Sequence, residues 1–432
     1  MNSYTSALKH LIKNKISIKD EKISINNSLN RVSSSDIVSP VNYPSSDNTA
    51  FDGYAINSRE TNSLNIKNPK KFKIIKTLAA GDNPYIKKIP KYSAIEVMTG
   101  AIVQKPFDTI IPVEKAELLV NKSKSKYLIL KNKFKKNEFI RPAGSDFKKG
   151  DKIIKKGQFI NSNHILALKT LGIEKIFVKR LALKTLGIEK IFVKRKIKIV
   201  FYPTGNEISN SKKIPNWKIR NSNTNYLDSF TKNLPITFIV KKILRDKDNQ
   251  IFKKEISKNM KSKSDLIITS GAVSAGKFDF IPSIIKQFKL KSMFKGVNIR
   301  PGKPVMFAKF NNNMCFFGLP GNPISSAACF RFFVLPHIFK SLGTVSEKPV
   351  IAKLRYKFQK KKNFTRFIKG KLIFTKKGEV EFEVNKGQES YKIGSFTKSN
   401  AWGVFKDGVS KFKKGTRIDC YSLSGINEFL LD

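Results

Sequence analysis

The chain has few of the groups on which most metal, redox and nucleophilic sites are built. Three cysteines, Cys315, Cys329 and Cys420, form no C-x-x-C pair and no even set. That excludes a zinc ribbon and a disulfide framework and fits a reducing, cytoplasmic compartment. Three histidines, His10, His164 and His337, lack the spacing of a metal site and read as structural or solvated. No G-x-S-x-G elbow is present, which excludes a Ser-His-Asp hydrolase of the α/β type. No apolar run is long enough to span a bilayer, and residues 1–20 mix polar and apolar side chains, unlike a secretory signal or a membrane anchor.

Acidic residues are scarce as well: 32 Asp and Glu stand against 84 Lys and Arg, a net charge of +52. A field of that sign attracts polyanions. The lysines, however, are spread through every segment among Ile, Asn and Phe. That is the pattern of a solvated cationic surface, and it argues against nucleic acid as the partner.

What the chain does have is 40% apolar residues over 432 positions, enough for several cores and two to four domains. Helical spacing over 4–14 leads into extended chain at 37–44. Short β-rich runs at 72–75, 94–98, 109–113 and 127–130, separated by Gly, Pro and Lys turns, predict a small β domain over 44–140. From 196 to 345 strands alternate with helices: strands at 197–202, 236–244, 265–270 and 315–319, helices at 225–233, 250–261, 280–288 and after Asn322. Such alternation predicts a doubly wound, mostly parallel sheet. Strands at 371–374, 380–384 and 417–421 predict a second small β domain over 346–432. Segments 1–43 and 141–195 form a linker domain, which completes an α/β multi-domain chain.

Within the linker, LALKTLGIEKIFVKR at 166–180 recurs without a change at 181–195. Solenoids need at least three units and drift in sequence, so an exact copy points to a recent tandem duplication or an error of sequence assembly. The expectation is that one copy takes the native place and the other is displaced at the surface.

Three loops follow strands of the alternating segment: PTGNE with Thr204 and Gly205; SGAVSAGKFD with Ser270, Gly271, Ser274 and Gly276; and LPGNPIS with Pro320, Gly321, Asn322, Pro323 and Ser325. Small residues at strand ends leading into helices let backbone N–H groups approach an oxyanion. Each loop alone could be a tight turn; three on one edge predict a phosphate-bearing ligand. Gly271 to Lys277 also forms the skeleton of a P-loop, but Phe278 stands where the motif needs a Ser or Thr hydroxyl for magnesium. Asp279 beside it offers an oxygen ligand of the kind magnesium prefers.

These loops and further motifs resemble the molybdopterin molybdenumtransferase family, the molybdenum insertases that include the C-terminal part of gephyrin. The likeness runs through PSSDNTAFDGYA, MTGA, IRPAGSDFKKGD, PTGNE, SGAVSAGKFDF, RPGKP and LPGNP, in order along nearly the whole chain. The resemblance implies an elongated homodimer with its cleft between the doubly wound domain of one subunit and the β domain of the other. It implies insertion of molybdate into adenylylated molybdopterin, with magnesium-dependent cleavage releasing AMP, and a molybdopterin-adenylylating protein as the upstream donor. Its functional positions fall on Asp52, Thr99, Asp146, Glu207, Asp246, Asp279, Arg300, Lys303, Pro320 and Pro323, with Arg366 and Ser390 as further candidates. Asp246, Asp279 and Glu207 would take the metal, and Arg300 and Lys303 phosphate or molybdate. The chain departs from the family pattern at Asn206, Arg300 and Glu96, where Asp, Lys and Arg are usual. Alternatives are a non-catalytic molybdopterin-binding scaffold and a P-loop-like nucleotide hydrolase.

Overall fold

A computed structural model describes residues 1–173, 190–245, 247–271, 284, 287–310, 313–345 and 347–425. Among them, no helix is long and apolar enough to cross a membrane. The alternating segment folds as expected around a six-stranded sheet in the order Ile236–Val240, Ile197–Pro203, Leu266–Ser270, Cys315–Leu319, Met306–Lys309, Lys291–Lys295. The first four strands are parallel; each of the last two is antiparallel to the strand before it in this order. Successive residues of Ile197–Pro203 serve opposite faces. Ile197, Ile199 and Phe201 enter one core and Val200 and Tyr202 the other, so from Ile199 onward the strand reads as a continuous apolar run. Helix Asn249–Lys261 covers the second face through Phe252 and Ile256. Helix Ser222–Thr231 and the helical run Pro323–Cys329, Phe330–Val334 and Leu335–Leu342 cover the first, joined by Tyr4–Lys13. Of the predicted helix at 280–288, only 284, 287 and 288 lie within the described residues.

The N-terminal β segment is also six-stranded, in the order Thr109–Pro112, Gly53–Ile56, Ser93–Val97, Lys70–Leu78, Lys126–Leu130, Glu117–Val120. Gly53–Ile56 was not legible in the sequence because it is short and buried on both faces: Tyr54 and Ile56 enter one core, Ala55 the other. Glu117–Val120 is an exposed edge strand that shows no apolar alternation. The C-terminal strands close on themselves, since Thr365–Phe374 pairs with both Val380–Val384 and Ala401–Phe405. Strand Ile299–Arg300 joins them, parallel to Thr365–Phe374, with Arg300 opposite Arg366.

The duplicated segment is used in a way the sequence reading did not anticipate. Helix Ser162–Thr170 and the residues just after it bring Leu168, Leu171 and Ile173 of the first copy into a core. The strand Lys190–Lys194 brings Ile191 and Val193 of the second copy into the same core. That strand pairs antiparallel with Asp20–Ser24. The native place is therefore filled by the helical half of one copy and the strand half of the other. His164 has a structural task here: its amide and ring close a capping box with Asn161.

Candidate functional site

The carboxyl ends of the parallel strands are laced together by their own loops. Thr204, at the end of Ile197–Pro203, donates from its amide and its hydroxyl to Ser270 O, at 3.1 and 2.8 Å. Gly271 N donates to Leu319 O at 2.8 Å. Gly271 has φ +102°, and a Cβ there would lie 2.7 Å from Thr204 Oγ1, so only glycine permits this approach. Two side chains lock the arrangement. Buried Asn223, in helix Ser222–Thr231, donates to Ser270 Oγ at 2.7 Å and to Gly321 O at 2.8 Å, clasping the second loop to the third. Arg245 donates to Gly205 O, Asn206 O and Ile208 O at 2.8, 3.2 and 2.8 Å, fixing the first. Sequence reasoning missed both. The polar run Asn221 to Asn225, which opens helix Ser222–Thr231, was a usable signal for Asn223; nothing local distinguishes Arg245.

The third loop places Pro323 at the first turn of a helix whose Ser325 is buried. Ser325 lines a cleft of about 590 Å³ whose other walls include Arg300, Lys303, Glu389 and Ser390. The cationic character of this cleft is built into the backbone. The register pair Arg300 and Arg366 sets two guanidinium-bearing residues side by side. Burial first, and then the Arg300 charge, lower the Arg366 pKa, with Glu389 opposing. Like charges held together in this way are relieved by an anion. Gly302, at φ +101°, lets the RPGKP turn lie on the helix, since a Cβ there would meet Cys329 Sγ at 2.4 Å. Asn322 Nδ2 donates to Ser390 Oγ at 3.3 Å, joining the Gly-rich edge to the cleft. The structure thus brings together Arg300, Lys303, Ser325 and Ser390, with Arg366 in register beside them, Pro320, Gly321, Asn322 and Pro323 adjoining, and Thr204, Gly205, Ser270 and Gly271 along the same edge.

Asp52, Thr99 and Asp146 lie elsewhere, on the N-terminal segment. Asp52 Oδ1 accepts from the Thr99 hydroxyl at 2.7 Å and from its amide at 2.6 Å. Those two bonds, the hydroxyl's first, hold the Asp52 carboxyl below its ordinary pKa. Gly53 is what allows Asp52 its place: a Cβ at 53 would sit 2.1 Å from Ile111 O. Asp146 lines a separate cavity of about 700 Å³ with Tyr43, Ser45, Ser46, Arg141 and Gly100, the neighbour of Thr99.

Of the residues expected to hold magnesium, Asp246 and Asp279 lie outside the described residues, as do Ser274 and Gly276. Glu207 is exposed and folds back over Gly205, where a Cβ would come within 2.4 Å of its Oε2. Among the described residues no three His, Cys, Asp or Glu side chains cluster as a metal site. Glu207 offers one carboxylate of the oxygen type that magnesium takes, while the neighbouring Gly205 and Asn206 carbonyls are held by Arg245 and Lys218.

Residues 2–172 match the model of the MoeA N-terminal region (domain I and II), 201–340 the probable molybdopterin binding domain, and 352–423 the MoeA C-terminal region (domain IV). The chain is 30% identical to the molybdopterin molybdenumtransferase of Staphylococcus epidermidis over 420 residues, covering 96% of this chain and 94% of that one. It is 29% identical to that of Staphylococcus aureus over 419 residues, covering 96% and 93%. A solved molybdopterin biosynthesis moeA protein of Pyrococcus horikoshii matches with a TM-score of 0.78 at 25% identity, over 98% of each chain.

Proposed function

Because the chain belongs to the molybdopterin molybdenumtransferase (MoeA) family, whose place is in molybdenum cofactor biosynthesis, we propose that it inserts molybdate into adenylylated molybdopterin and releases AMP. The observation that carries this reading is the cleft in which Arg300 and Lys303 face Ser325 and Ser390, with Arg366 in register beside Arg300. The two arginines and Lys303 hold a tetrahedral dianion by charge-assisted bonds, and the serine hydroxyls orient it. The edge that the Gly205, Gly271 and Gly321 loops form, with the helix starting at Pro323, takes the phosphates of the pterin nucleotide. Arg245 and Asn223 keep those loops in place before substrate arrives, so little ordering is left to the binding event.

Glu207, Asp246 and Asp279 would hold magnesium, which when bound neutralises charge on the pyrophosphate being cleaved. Asp52, Thr99 and Asp146 complete the site from the partner of a homodimer. A cyclic two-fold dimer makes two such composite clefts. The reading carries the four-domain division 1–43 with 141–195, 44–140, 196–345 and 346–432, a cytoplasmic location, and a molybdopterin-adenylylating protein as the donor. The test is incubation with adenylylated molybdopterin, molybdate and magnesium. AMP and active cofactor are expected together. Binding of the pterin without AMP release would establish a scaffold instead, and cleavage of free ATP without cofactor formation a nucleotide hydrolase.

A further inference from the structure

Strand Thr365–Phe374 carries Arg366, in register with Arg300, and, three residues on, a lysine that the chemistry so far does not use. Ile368 and Leu372 point into the core of the C-terminal strands. Lys369 lies on the opposite face, with Phe367, and is 1% exposed. Its Nζ donates to Gly387 O, Glu389 O and Lys392 O at 2.9, 3.2 and 2.9 Å. Its backbone is claimed by the same loop: Lys369 N donates to Gln388 Oε1 at 3.0 Å, and Lys369 O accepts from Gln388 Nε2 at 2.7 Å. Asn385 N adds a bond to Lys369 O at 3.1 Å; the partners of the ammonium all lie between 387 and 392, the segment that forms a wall of the cleft through Gln388, Glu389, Ser390 and Tyr391. The far side of that wall is tied through Ser390 to Asn322.

We propose that Lys369 is a positioning residue for the cleft, whose ammonium holds the 387–392 loop so that Ser390 and Glu389 face Arg300 and Lys303. A buried ammonium is a costly way to fill space; an apolar side chain would pack the same site at less cost. Three convergent carbonyls are what an ammonium satisfies and what a methyl or a neutral amine cannot. Gly387, at φ +81°, gives the loop the turn that aims its carbonyls inward. The role extends the proposed molybdate insertion and rests on it.

The charged groups that face Lys369 are Glu389, which favours its protonated form, and Arg366 and Lys392, which oppose it. Burial, the largest influence, brings the ammonium down to about 8. Above that pH the third donor is lost, and the grip on the loop weakens.

The experiment compares the full-length enzyme with Lys369→Met and Gln388→Ala at saturating adenylylated molybdopterin and varied molybdate. Both variants are expected to raise the molybdate KM about tenfold, the equivalent of one charge-assisted hydrogen bond, with kcat changed far less. The wild-type KM should climb as pH passes 8, and the Lys369→Met value should be flat. Hydrogen exchange of 385–392 should quicken in both variants, which reads the loop whatever the substrate. A wild-type enzyme that inserts no molybdate sinks the functional reading alone. Should Lys369→Met fail to fold, the wild-type enzyme carries the test alone: a molybdate KM and a 385–392 exchange rate that stay constant as pH passes 8 overturn the role of the ammonium. An unchanged molybdate KM or unchanged exchange in a folded variant overturns the role of Lys369.

Discussion

Deleting residues 181–195 yields the same polypeptide as deleting 166–180, because the two stretches are identical. What such a variant does to stability follows from how the structure divides the copies. Leu168, Leu171 and Ile173 come from the first, Ile191 and Val193 from the second, and all five enter one core with Ile25, Ile37, Ile154 and Ile160. The shortened chain retains an identical residue for each of the five. What changes is the connection from Ile173 to Lys190, which runs through 174–189 and shrinks to a single Glu. Loop-closure entropy, growing with the logarithm of loop length, puts the gain at about 2 kcal/mol as an upper bound. Hydrogen exchange over the strand Lys190–Lys194 reads the opening of this sheet directly, and its protection should rise by up to about thirtyfold. A paired substitution sharpens the test. Val193→Asp buries a carboxylate at a fully enclosed position and should cost about 3 kcal/mol. Val178→Asp, the same change in the first copy, should cost clearly less, because Val193 already fills this position of the core. Lower protection in the deletion variant, or equal costs for the two aspartates, would refute the division of labour between the copies.

Other perturbations read other parts of the molecule. Arg331 and Glu347 form a buried ion pair, with Arg331 Nε donating to Ser422 O at 2.9 Å and Ser422 Oγ donating to Glu347 Oε1 at 3.0 Å. Glu347→Gln strands the guanidinium and should cost about 3 kcal/mol in urea unfolding; a cost under about 1 kcal/mol would contradict this. His337 is buried between Phe307 and Phe317, its Nδ1–H donating to Leu11 O at 3.1 Å, and burial pulls its pKa down to about 4. Below pH ~6.5 the unfolded chain takes a proton that the folded chain refuses until about 4, so stability falls as pH falls, by about 2 kcal/mol at pH 5. The urea midpoint of His337→Gln should lose that part of the slope, and parallel pH profiles would argue against it. Asp52→Ala and Lys303→Ala should each abolish insertion. Mixed dimers of the two should recover about a quarter of the activity, because one composite cleft in each heterodimer is intact; no recovery would place the whole site within one subunit.

Much of the architecture was legible because its signals are local. Alternation of apolar strands with amphipathic helices marked the doubly wound sheet, and Gly, Pro and small polar residues at strand ends marked the loops. The legible half of the candidate site is the half carried by such loops: Thr204, Gly205, Ser270, Gly271 and the run from Pro320 to Ser325. Gly53–Ile56 escaped because burial on both faces removes the alternation that identifies a strand. Asn223, Arg245 and Lys369 escaped for another reason. An asparagine in a helix, an arginine after a strand and a lysine among many lysines look like solvated side chains. Their hydrogen bonds run to backbone atoms of segments far away in the chain.

The amino-acid sequence alone determined which segments become strands, which loops can approach an anion, and that cationic residues stand at 300, 303 and 366. Only the tertiary structure decided that Arg300 and Arg366 lie in register, since that depends on a two-residue strand crossing to a distant sheet. It also decided which half of each repeated copy is used. Two identical sequences carry identical propensities, so no local preference can choose between them. The choice falls to the packing of the core and the pairing with Asp20–Ser24, which act on position in the chain as well as on residue type.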